Sequence, residues 1–304
     1  MDIPVLLVFF NRPKAIFSLL KVLSKVKPKK VYLSCDGARD CIEDEKKLVE
    51  SLRKRVIQLI DWDCELFFRF SEHNLGCKKN VSESVQWFFN NEAQGIVLED
   101  DCIPSLSFFD FAGKMLEKYK DDKRIGSIAG RNEIADIYDM KFSHTFTRKF
   151  FCWGWASWSD RVVNNNIEIG YEKKLPKHIL EALPLNEKLM LRGIVGLMQS
   201  YSVNSWAYPF DLCFRERNQL CVIPKMNLIK NIGLDVEGAH SKGKGRDILS
   251  LSDEFYIDCT EVVDVVNDKL FMDKLISKRY KGFLFLVLFS FSRYLYPIKK
   301  MLFK

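Results

Sequence analysis

The chain has 304 residues, 47% hydrophobic and 29% charged, an ordinary composition for a soluble globular protein with one large α/β domain or two small ones. Its net charge is +7, yet eight of the 47 basic residues fall between Lys274 and Lys304 with no acid among them, so the other 39 face 40 acids. The basic excess therefore describes a tail, which argues against a nucleic-acid-binding body.

Nine cysteines, an odd number without any Cys-x-x-Cys pair, argue for a reducing compartment and against a disulfide framework or a zinc site. The first apolar run, residues 5–10, is stopped by Asn11-Arg12-Pro13 and reads as a buried strand rather than a signal sequence. The longest, residues 283–289, is far short of the roughly 20 residues that span a bilayer.

In chain order, strands are predicted at 5–10, 31–35, 64–70 and 95–98, separated by helices at 14–26, 44–61 and 81–89. That alternation implies βαβ units and a mainly parallel sheet, a Rossmann-like α/β architecture. Farther on, 108–118 and 187–203 read as helices, 125–130 and 221–224 as strands, and the aromatic stretch 150–158 as a shaped loop. Residues 238–246, with three glycines, read as another loop. No linker cuts the chain: residues 1–105 read as a nucleotide-binding half, 106–273 as an acceptor-side half, and 274–304 as a tail.

Ligands of open α/β sheets bind beyond the carboxyl ends of the strands. The polar residues after the first four strands, among them Arg12, Asp36, His73 to Lys79 and Glu99 to Asp101, are therefore expected to share one crevice. In extended chain Glu99 and Asp101 point one way and Asp100 the other. Carboxylates at a strand end suit Mg²⁺ or Mn²⁺ bridging to substrate phosphates, and three adjacent acids need a cation or strong donors. An exposed acidic turn would have the same sequence.

Residues 4–12, Ser34-Cys35-Asp36-Gly37, 72–79, Glu99-Asp100-Asp101 and Trp153-Gly154-Trp155 together resemble nucleotide-sugar glycosyltransferases of the GT-A fold, specifically the N-acetylglucosaminyltransferase I family and its bacterial sugar-transferase or hemolysin-like relatives. The resemblance covers roughly residues 3–241. It implies that Arg12 meets the donor diphosphate, that Asp36 hydrogen-bonds the base, suggesting uracil, and that His73 with Asn74-Leu75-Gly76 lines the nucleotide pocket beside Lys78. It implies that Asp101 ligates Mn²⁺ or Mg²⁺, with His240 as a further metal or phosphate contact, that Asp100 touches the ribose and Glu99 the donor sugar, and that Trp153 to Trp155 shape the acceptor side.

One segment departs from the family. An inverting transferase needs a general base, which the family places as a carboxylate just after a Trp; here Ala207-Tyr208 follow Trp206. Asp211, one turn on, or Glu133 are the substitutes, or the chain is a retaining, altered or non-catalytic relative. A sugar-nucleotide pyrophosphorylase would require a Gly-rich, Arg-containing loop where Phe10-Asn11-Arg12-Pro13 stands.

Residues 278–304 mix Lys and Arg with Phe283, Phe285, Phe289, Phe291, Tyr294 and Tyr296. That chemistry suits an anionic membrane surface, and a final helix packed on the body is the alternative. The combined expectation is a cytoplasmic, peripherally membrane-bound enzyme that uses a UDP-sugar and a saccharide or polyprenyl-linked acceptor.

Overall fold

The computed structural model describes residues 1–171, 175, 177–181, 183–200, 202–233, 251–252, 258, 261 and 263–291. The first part alternates as expected: β1 (Val5–Phe9), α1 (Pro13–Val26), β2 (Lys30–Cys35), α2 (Glu45–Leu59), β3 (Glu65–Phe70), α3 (Gly76–Asn91) and β4 (Gln94–Glu99). β5 (Cys102–Pro104), α4 (Leu106–Lys118), β6 (Ile125–Ala129), β7 (His144–Thr147), β8 (Trp155–Trp158), α5 (Ser159–Val162), α6 (Lys177–Glu181) and α7 (Leu185–Gln199) follow. The described elements end with α8 (Ala207–Glu216), β9 (Leu220–Pro224), β10 (Ile229–Asn231), α9 (Lys269–Tyr280) and α10 (Phe283–Ser290).

Eight strands form one sheet in the order β3-β2-β1-β4-β8-β6-β9-β7, and β5 pairs separately with β10. The ladders among β3, β2, β1 and β4 are all parallel, as is β6 with β9, whereas β8 runs antiparallel to both β4 and β6 and β7 antiparallel to β9. The chain is thus a mixed α/β protein with a large, mostly parallel sheet flanked by helices.

Burial on both faces explains the unbroken apolar run of β1. Val5, Leu7 and Phe9 pack with Leu19, Leu23 and Phe108 on one side, while Leu6 and Val8 pack with Val81, Val85 and Phe88 on the other. α1 has Pro at its start, where the missing N–H has no partner to lose, and buries Ile16, Leu19, Leu20 and Leu23 at helical spacing. A third apolar cluster joins α7, α8, α9 and α10 through residues such as Met190, Ile194, Leu212, Phe271 and Leu286.

Two expectations are corrected here. Part of the aromatic stretch 150–158 is strand β8, fully buried between β4 and β6, so Trp155 is a core residue and not a sugar platform. The tail boundary at 274 falls inside α9, whose Phe271, Met272, Leu275 and Ile276 are all buried. Residues 238–246 lie outside the described residues.

Leu7 sits at the centre of the sheet without any exposure. Truncating it to Ala should cost about 2–5 kcal/mol in urea unfolding, the usual loss for a large-to-small change in a packed core.

Candidate functional site

In the order β3-β2-β1-β4, the tips of β2, β1 and β4 are neighbours, with Phe9 level with Cys35 and Val8 level with Glu99. The side chains that follow these tips meet. The Arg12 guanidinium reaches across from β1 and bonds both acids beyond β4: Nη1 donates to Asp101 Oδ2 at 2.7 Å, and Nη2 to Asp100 Oδ1. The backbone N–H of Phe10 also faces Asp100 Oδ2, at 3.4 Å. Asp100 is buried, whereas Arg12 and Asp101 keep 24% and 16% side-chain exposure, so the pair opens toward solvent at the sheet's carboxyl edge.

Glu99 is half-buried beside them and receives a hydrogen bond from the Trp206 indole. Burial, reinforced by the charges of Asp101 and Asp100, pushes its carboxyl up to about 8 despite Arg12 and Trp206. Burial likewise raises Asp100 to about 7, against the opposing pull of Arg12. Burial opposes the Arg12 charge too, but Asp100 and Asp101 outweigh it and hold the guanidinium protonated. One guanidinium thus faces three carboxylates, and the cluster is short of positive charge.

The segment after β10 covers this pair. Ile232 N–H donates to the Asp101 carbonyl at 2.9 Å, and Gly233 N–H to Asn231 Oδ1 at 2.9 Å. A Cβ on Gly233 would lie 2.3 Å from Asp101 Oδ2 and 3.0 Å from Arg12 Nη1, so only glycine passes here without moving the ion pair. Nothing in the local sequence marks Gly233 or Asn231, because their proximity to Asp101 arises from the antiparallel β5–β10 pairing.

Asp36 is buried beyond β2 and works inward. Its Oδ1 accepts from Gly37 N–H at 2.9 Å and Leu75 N–H at 2.8 Å, and its Oδ2 from Gly76 N–H at 2.9 Å and Asn74 Nδ2 at 3.2 Å. In place of the expected base contact, it satisfies the free N–H groups at the start of α3 and holds the loop of residues 72–76. That capping, and Gly76 at φ +77°, let α3 begin five residues before its predicted start. His73 is exposed, with its backbone against Gly37. Lys78 Nζ pairs with Glu168 at 2.7 Å and lies 3.8 Å from the centre of the Tyr171 ring, which ties it to the second half of the chain.

Both expected general bases are engaged structurally. Asp211 is buried on the inner side of α8; Oδ1 accepts from Phe150 N–H at 2.6 Å and Oδ2 from Arg215 Nε at 2.9 Å. Burial alone would raise its carboxyl, but Arg215, Lys149 and the Phe150 N–H together hold it below the usual range. It cannot meet an acceptor. Glu133 is paired with Arg279 of α9, which overrides burial and lowers its carboxyl as well. Trp153 is half-buried with the Arg131 guanidinium 5.0 Å from its ring centre.

Among the described residues no group of three or more His, Cys, Asp and Glu is arranged to hold a metal ion. Asp101 Oδ2 faces Arg12 and its Oδ1 faces the Cys102 thiol. These residues do not fit a cation caged by protein ligands. A cation held here would have Asp101 as its single protein carboxylate and would complete its shell from phosphates and water, a mode common for Mg²⁺. His240, the second expected ligand, lies outside the described residues.

No protein-family model and no curated protein matches the chain. Two crystal structures of HddC from Yersinia pseudotuberculosis are similar to it in part, one of them complexed with GMP-PN. Identities are 11% and 12% and TM-scores 0.34 and 0.33, over 53% of this chain and 79% and 78% of theirs. At these values the likeness carries no functional weight.

Two predictions follow from the site's electrostatics. With Glu99 raised from 4.5 to about 8, the folded protein binds more protons than the unfolded chain between those values, so stability falls as pH rises through that window. Melting temperatures of ligand-free protein should show this decline, and Glu99→Gln should lessen it, leaving the part that Asp100, raised to about 7, contributes. Asp211→Ala should cost about 3–5 kcal/mol of stability by leaving Arg215 and Lys149 buried without their partner; urea unfolding at unchanged stability would restore Asp211 as a catalytic candidate.

Proposed function

We propose that this protein is a glycosyltransferase that binds a nucleoside-diphosphate sugar, with UDP-sugars favoured, at the tips of β1, β2 and β4. It transfers the sugar to a saccharide or polyprenyl-linked acceptor. The observation that carries this reading is Arg12 lying across Asp100 and Asp101 where three parallel strands end. A guanidinium has the planar fork that matches phosphate oxygens bidentately. A charge-deficient carboxylate group beside it suits a cation that arrives with the diphosphate.

In this reading Arg12 and Asp101 hold the diphosphate end, with Mn²⁺ or Mg²⁺ supplying charge neutralisation of the departing nucleotide when bound. Asp36 acts at one remove: it fixes the loop carrying His73, which borders the nucleotide. Asp100, buried and bonded by Arg12 and the Phe10 N–H, orients the guanidinium. Glu99 is hydrogen-bonded by an indole rather than by Arg12. With Asp211 and Glu133 engaged elsewhere, it is the acid left to face the donor sugar or an acceptor hydroxyl.

A second reading, a nucleotide-sugar binder without catalysis, is favoured by the engagement of both candidate bases in ion pairs. Manganese-dependent hydrolysis of the donor separates the two, since a binder leaves the sugar nucleotide intact.

The decisive measurement is a thermal-shift screen of UDP-, GDP-, CMP- and dTDP-sugars with and without Mn²⁺. A donor at about a hundred times its Kd should add about 2.7 kcal/mol of stability by mass action, and only with the metal. Asp101→Ala should abolish the response; a variant that responds like the parent would remove Asp101 from the site.

A further inference from the structure

Helix α10 is almost wholly apolar, reading Phe283-Leu284-Phe285-Leu286-Val287-Leu288-Phe289-Ser290. Only part of it faces the body. Leu286 is buried in the cluster with α7 and α9, and Val287 and Phe289 are partly buried against the same cluster. Phe289 lies so close to Gly193 of α7 that a Cβ there would sit 2.2 Å from its ring and 2.7 Å from its carbonyl oxygen. The helix is therefore seated firmly on the body. Yet Phe283, Leu284, Phe285, Leu288 and Phe291 are 50–73% exposed. Exposed apolar side chains grouped on this scale mark an interaction surface.

The charge of the sequence on either side of this helix selects its partner. Lys278 and Arg279, at the end of α9, are paired with Asp136 and Glu133. Lys281 stands between the two helices, and the sequence from 292 to 304 adds Arg293, Lys299, Lys300 and Lys304 without any acid. A second copy of the chain docked on the same face by two-fold symmetry would add to it a second Lys281, uncompensated among the described residues. An anionic lipid surface would complement these charges. Eight helical residues are about 12 Å long, and no described helix is long and apolar enough to cross a membrane. Lying in the interface is the geometry that remains for a short apolar helix bordered by cations.

We propose that α10 is a preformed docking face for an anionic bilayer surface, with the five exposed apolar side chains entering the headgroup boundary and Lys281 at its start meeting lipid phosphates. α9 ties this face to the segment that follows β6, because Lys278 Nζ donates to the Glu133 carbonyl at 2.8 Å and Arg279 bonds the Glu133 carboxylate. A bilayer on α10 would thus lie near the segment that follows β6. The inference stands independently of the donor reading.

The test is co-sedimentation of the full chain with phosphatidylcholine vesicles, with and without phosphatidylglycerol. Binding should be at least about tenfold stronger to the anionic vesicles and weaken with added salt. The double variant Leu284→Gln/Phe285→Gln should lose about tenfold of that binding, because both side chains are largely solvent-exposed and their loss removes apolar insertion only. Its far-ultraviolet circular dichroism and its stabilisation by nucleotide sugar in solution should match the parent, which separates this result from any failure of the donor reading. Equal partitioning of parent and double variant overturns the proposal, as does an absence of binding to anionic vesicles. A parent dimer that dissociates in the double variant overturns it as well, by assigning the face to a second copy.

Discussion

The contact between the Arg12 guanidinium and the carboxylates of Asp100 and Asp101 is the interaction on which the rest of the site depends. It joins the ends of two parallel strands that are neighbours in the sheet and far apart in sequence. It also makes Asp100 tolerable: a carboxylate with 1% exposure could not stay charged without a donor such as this guanidinium. The cluster still holds more acid than base, and its unmet demand for positive charge is a property of three acids crowded onto one strand end, whatever ligand satisfies it.

Around this contact the chain uses polar residues to hold backbone in place. Asp36 ties the start of α3 to the end of β2 with three hydrogen bonds, from Asn74, Leu75 and Gly76. Gly233 allows the segment after β10 to pass over the ion pair. These groups face inward, so a ligand at the strand tips would meet backbone already organised before it arrives, which limits the ordering cost of binding.

The second half treats its charges differently. Asp211 and Glu187 lie buried near Arg215 and Lys149, with separations from 2.9 Å for Arg215 to Asp211 to 3.8 Å for Arg215 to Glu187. Buried networks of this kind are costly to break and weak as sources of reactivity. The pairing of Glu133 with Arg279 serves a similar end, fastening α9 to the segment after β6. Two acids that stand where a catalyst could have used them are instead part of how the helical cluster is attached to the sheet.

The sequence by itself determined the first βαβ units, because apolar runs closed by Arg12, Asp36 and Glu99-Asp100-Asp101 specify strands and their ends through local patterning alone. It also determined that these polar tips would face one edge, since parallel strands place their carboxyl ends together. Only the tertiary structure decided what each side chain does there. Asp36 turned inward because the 72–76 loop folds back over it, and Asp211 was closed off because the aromatic packing of Phe150, Trp206 and Phe210 brought the Phe150 N–H and Arg215 to it. Strand β8 was illegible for a related reason: it lies between β4 and β6, so both of its faces are buried and Trp155 and Trp158 show no alternation with polar residues. Local pattern records which residues avoid water; which acid meets which donor depends on contacts between segments as distant as Arg12 and Asp101, and no short window of sequence contains both.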